Sequence, residues 1–180
     1  MKKLLVGALV GGLILFIWQF LSWSLLNIHL PEMQYTPAQD DIMEVLSGAG
    51  LEDGGYFIPT VPEGASMEEM EVAQQEAMGK PWATITYHKS FELNMASNLT
   101  RGFTIDFLAV LLLCWIFGKF RELNMSSVLL SCLAIGFIGF LTIVYLENIW
   151  FEVRTMGYLI DTVVSWGVVG FWLGFWLPRN

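Results

Sequence analysis

Asp106 and Asp161 stand within long apolar stretches. A carboxyl group in hydrocarbon is expensive, so intramembrane acids are the first place to look for function. Arg154, Tyr158, Asp161 and Ser165 follow the i, i+4, i+7, i+11 spacing of one helix face. Arg101 and Arg154 stand at the starts of the two stretches that hold the aspartates. Two chemistries suit such a set: an ion or proton site, or a cluster of interhelical charges that fixes how helices pack. A transmembrane route needs relays on both sides, and the far half of every apolar stretch lacks an ionisable residue. The sequence therefore predicts a structural polar cluster of Asp106, Asp161, Arg101, Arg154 and Tyr158, with no catalytic residue, no cofactor and no transport.

Metal chemistry would fall to His29, Met33 and His88. Met33, Met43, Met67, Met70, Met78 and Met95 accompany both histidines in one part of the chain, and soft thioethers select Cu(I). Copper handling or sensing is accordingly the alternative function. Met67, Met70 and Met78 also form one face of a short helix, and a packing stripe accounts for them more simply. Haem ligation needs histidines at matched depth on facing helices, and neither histidine lies well inside an apolar stretch. The chain contains no nucleophile–base pair, Gly-rich phosphate loop or CxxC. Cys114 and Cys132 fall inside apolar stretches as small packing residues. Asn98-Leu99-Thr100 matches a glycosylation sequon.

The elements that must position these residues are membrane helices. Of 180 residues, 55% are apolar and only 14% charged, against roughly a quarter charged in a soluble domain. A net charge of -8 leaves no basic surface for nucleic acid. A helix crosses a bilayer with about 20 apolar residues. Four stretches qualify: 1–30, an uncleaved anchor without a small-residue cleavage site, then 98–118, 125–146 and 155–177. The expected fold is thus a mainly α membrane protein of four transmembrane helices. Lys2, Lys3, Lys119, Arg121 and Arg179 crowd the tiny loops on one side, so both termini are expected to be cytoplasmic and residues 31–97 extracytoplasmic. Trp23, Trp115, Trp150 and Trp176 near span ends read as an aromatic belt.

Residues 31–97 carry twelve acids against Lys80 and Lys89. Thr36-Pro37 predicts a helix start with proline at the first position, running to Gly48. Ser66-Met67-Glu68-Glu69 is a capping box opening a helix that stops at Gly79-Lys80-Pro81. Tyr56–Ile58 and Trp82–Tyr87 read as strands able to pair, making a small α+β cap. Ser90 is expected to cap a helix that continues into the second span. A cysteine-free domain of this size is marginal alone, which points to support from the membrane helices or from another protein.

Gly7-x-x-x-Gly11 and Gly170-x-x-x-Gly174 permit close helix packing. Two such faces on one small chain favour contact with other chains. The order of spans and loops is similar in outline to that of claudins and tetraspanins, without the signature tryptophans and cysteines of their outer loops, so the similarity is one of topology. The expected function is a non-catalytic membrane subunit or assembly factor, with other membrane protein subunits or further copies of itself as partners in the lipid bilayer.

Overall fold

The computed structural model describes residues 2–178; Met1, Arg179 and Asn180 lie outside the described residues. The chain divides into two units, one of residues up to Gln34 together with Asn94 onward, the other Tyr35–Leu93.

The larger unit is helical. Helix α1 (Lys2–Phe20) runs on through a π-helical turn, Leu21–Leu25. In the smaller unit come α2 (Gln39–Gly48), β1 (Gly54–Ile58), α3 (Met67–Ala77) and β2 (Ala83–Tyr87). The larger unit resumes with α4 (Met95–Phe117), α5 (Met125–Gly139), a second π-helical turn at Phe140–Val144, α6 (Tyr145–Phe151) and α7 (Met156–Trp176). Four continuous helices, Lys2–Leu25, Met95–Phe117, Met125–Phe151 and Met156–Trp176, are long and apolar enough to cross a membrane. The third extends past the expected 146 because the π turn joins α5 to α6 without a break.

Helix α1 packs on α4 and α7, and α5 packs on α7. The order across the bundle is therefore α4–α1–α7–α5, around a core including Ala8, Leu15, Val110, Leu113, Phe117, Val128, Val169 and Leu173. Glycines set the seams. A Cβ at Gly12 would lie 2.8 Å from the Phe107 Cα, and one at Gly170 would lie 2.9 Å from Cys132 Cβ and 3.1 Å from Leu129 Cα. Gly11 meets Val110, Gly7 meets Trp176, and Gly174 meets Met125 in the same way. The expectation that the Gly7–Gly11 and Gly170–Gly174 faces meet other chains is thereby corrected. Both faces are filled from within, because α1 and α7 each pack on two neighbouring helices and need a small-residue seam toward each.

The unit Tyr35–Leu93 holds one antiparallel pair, with Gly54 opposite Tyr87 and Ile58 opposite Ala83. Asp53 Oδ1 accepts from the Lys89 amide at 3.0 Å, and Lys89 Nζ meets Glu52, so the open end of the pair is tied. Ser66 and Glu69 complete their capping box at the start of α3: each amide donates to the other's side chain, at 3.2 and 2.8 Å. Two boundaries differ from expectation. Helix α2 starts at Gln39 and not at Pro37, since the Thr36 hydroxyl accepts from the Ala38 amide and forms a turn first. Helix α4 is capped by Asn94, whose side chain accepts from the Ser97 amide at 3.0 Å, and Ser90 lies outside it.

Candidate functional site

Among the described residues of the helical unit, a dense gathering of polar side chains forms where α1 ends. The π turn closes with the Leu26 amide donating to Leu21 O, and Asn27 takes a left-handed conformation at φ 54°. The chain then reverses into a short 3-10 turn, Leu30–Glu32, with Pro31 in its first turn. A 3-10 turn eclipses residues i and i+3, and His29 and Glu32 are so related. Their side chains meet, His29 Nδ1 lying 2.7 Å from Glu32 Oε2.

The other ring nitrogen of His29, Nε2, lies 2.8 Å from Asp161 Oδ2 on α7. Asp161 Oδ1 accepts from Ser22 Oγ at 2.6 Å and from Trp18 Nε1 at 2.9 Å. Trp23 stacks on the His29 ring at 4.0 Å and 4°, and Tyr158 meets it edge-on at 4.9 Å. Gly157 makes room, for a Cβ there would stand 2.6 Å from Glu32 Oε1 and 2.8 Å from His29 Nδ1.

An imidazole donates from both nitrogens only as the cation. A carboxyl group on each nitrogen and a tryptophan face against the ring favour the imidazolium form. Burial opposes the charge, and the carboxylates of Glu32 and Asp161 more than offset it, holding His29 above its ordinary value. The side chain of His29 is 2% exposed, that of Glu32 10% and that of Asp161 19%. Both nitrogens are engaged, so neither is free as a general base or a metal ligand. What the arrangement does is clamp the end of α1, the following turn and α7 together.

Of the residues singled out in the sequence, Asp161 and Tyr158 belong to this cluster. Asp106 does not. It is buried on α4, with Oδ1 accepting from Gln19 Nε2 at 3.0 Å and Oδ2 without a partner. Neither aspartate pairs with an arginine: Arg154 is exposed and donates to the Gln34 carboxamide oxygen at 3.1 Å, and Arg101 is exposed on α4. Met33 is 70% exposed beyond the 3-10 turn. His88 belongs to the other unit, where its Nδ1 lies 3.6 Å from Asp53 Oδ2. Among the described residues no three His, Cys, Asp or Glu side chains form a metal set.

Sequence reasoning missed His29 as the counter-charge of Asp161, together with Trp18, Ser22, Glu32 and Gln19. A signal was available: Trp18 and Ser22 share a helix face, and His29-x-x-Glu32 follows within one turn of the helix end. Comparison with known protein families, curated proteins and solved structures finds no match.

Proposed function

We propose that the protein is a multi-pass integral membrane protein that serves as a non-catalytic subunit or assembly factor of a larger membrane complex. Its termini are cytoplasmic and its 35–93 unit extracytoplasmic, as the Lys/Arg distribution favours. The observation that carries the reading is how little that unit buries within itself. Neither α2 nor α3 buries a residue, and Tyr87 is the one buried side chain among residues 35–93. Ile42, Met43, Val45, Met67, Met70 and Val72 are all exposed. Apolar area left in water forgoes about 25 cal/mol per Å², and contiguous exposed apolar surface marks interaction sites. A partner protein that covers these helices supplies what the unit lacks.

The clamp at His29 fits a non-catalytic role, since it joins helices and leaves no reactive atom free. Native mass spectrometry from mild detergent tests the reading. We expect the 20.4 kDa chain to emerge with a second polypeptide. A monomer under every extraction condition, combined with a freely exposed 35–93 unit in hydrogen exchange, overturns it.

A further inference from the structure

We propose that the outer edge of β2 receives an extended basic segment of a partner protein as a third strand. The inference rests on the reading of the protein as a subunit of an assembly and names the chemistry of what it binds. Strand β2 pairs with β1 on one side. Among the described residues, no backbone hydrogen bond reaches its other side. A free strand edge presents unpaired N–H and C=O groups, a template for another chain.

Edges are normally guarded by lysine, proline or a bulge. Ala83-Thr84-Ile85-Thr86-Tyr87 contains no charge and no proline, and every position pairs in register without a bulge. Its threonines, isoleucine and tyrosine favour extended pairing. Such an edge is suited to being occupied.

A groove of about 730 Å³ in the same unit is lined by Ile85, Thr86, Tyr87 and His88 in succession. Strand side chains alternate between faces, so a groove reaching four successive residues meets backbone as well as side chains. Met43 and Leu46 of α2 and Phe91 form its apolar part, and Phe91 is 91% exposed. Asp53 and Glu92 form its acidic part, and Asp40, Asp41 and Glu44 add negative charge on α2. Lys89, next in sequence to His88, is already paired with Glu52. An occupant that pairs with the strand edge, buries apolar side chains against Phe91 and Met43, and answers the acids carries both apolar and basic residues, and an alternating lysine–valine peptide is the simplest such chain.

The test uses the full chain in nanodiscs of phosphatidylcholine and a fluorescent peptide of about eight residues, a typical strand length, alternating lysine and valine with blocked ends. Anisotropy should show binding above that to empty discs, weakened about tenfold by Glu92→Lys and by Phe91→Ser, and lost when alternate peptide amides are N-methylated. Both substituted residues lie on an exposed segment outside the helices and strands, so the variants fold. No binding above empty discs, equal binding of the N-methylated peptide, or equal binding of a glutamate–valine counterpart overturns the inference. A second polypeptide in native mass spectra with no peptide binding overturns this inference alone and leaves the subunit reading standing.

Discussion

Replacing His29 by alanine removes the cation from between Glu32 and Asp161 and leaves two carboxylates in a site that is largely dry. Breaking a buried ion pair by deleting one member costs about 3–5 kcal/mol. The lost stacking on Trp23 adds roughly 0.5–1.5 kcal/mol. Asp161 keeps its bonds from Ser22 and Trp18 and is 19% exposed, which moderates the loss, so about 3 kcal/mol is the expected total. Unfolding in mixed micelles by a detergent titration, followed by tryptophan fluorescence, measures it. The pair His29→Ala with Asp161→Asn should be less destabilised than the sum of the singles, by roughly 1–2 kcal/mol, because asparagine removes the charge that alanine leaves stranded. If His29→Ala lies within about 0.5 kcal/mol of the parent and the double variant is additive, His29 is not an imidazolium clamp and the reasoning is wrong.

The pH dependence has a fixed sign. His29 is held above its ordinary value of 6.5 by Glu32 and Asp161, so its contribution is complete below that ordinary value. The contribution is lost as pH rises through the higher value of the folded state; the midpoint of unfolding should drop on the alkaline side, and His29→Ala should flatten that slope. Gly170→Leu drives a side chain into Cys132 and the Leu129 backbone and should lower stability by about 1–3 kcal/mol, seen as a lower detergent midpoint. Gly139→Ala, with nothing within 4 Å of the added carbon, should be neutral or gain up to about 1 kcal/mol of helix propensity.

The four apolar helices were legible because each is a continuous run of about 20 or more residues, and no other element produces that pattern. The capping box at Ser66 was legible for a similar reason, since both partners lie within four residues of one another. The start of α2 was less so, because Thr36-Pro37 can open a helix directly or make a turn before it. The site was read in half. Asp161 stood out as a charge in an apolar run, but its partner is 132 residues away in sequence. The spacing of Trp18, Ser22, His29 and Glu32 marks a polar end to α1, but it does not say that the turn sets His29 against Asp161. Arginines at the helix starts were the natural counter-charges by spacing, yet both are exposed and neither reaches an aspartate. The glycine seams were visible as spacing, but spacing does not say whether the neighbour is the same chain or another.

Helices α1 and α7 are fastened at both ends. Near one end Trp172 Nε1 donates to Gly7 O at 3.1 Å and Trp176 Nε1 to Lys3 O at 2.8 Å; at the other, Asp161 holds Ser22, Trp18 and His29. Lys3 and Ser22 are about 28 Å apart at 1.5 Å per residue. A rod bolted at two points so far apart cannot slide along its neighbour like a piston, nor swivel about its own axis, without shearing a bolt. The pair therefore behaves as a single stiff girder. A push or twist delivered at the His29 end is thus handed along α1 and α7 together, whereas α5 is held to α7 by close packing at Gly136, Gly170 and Gly174.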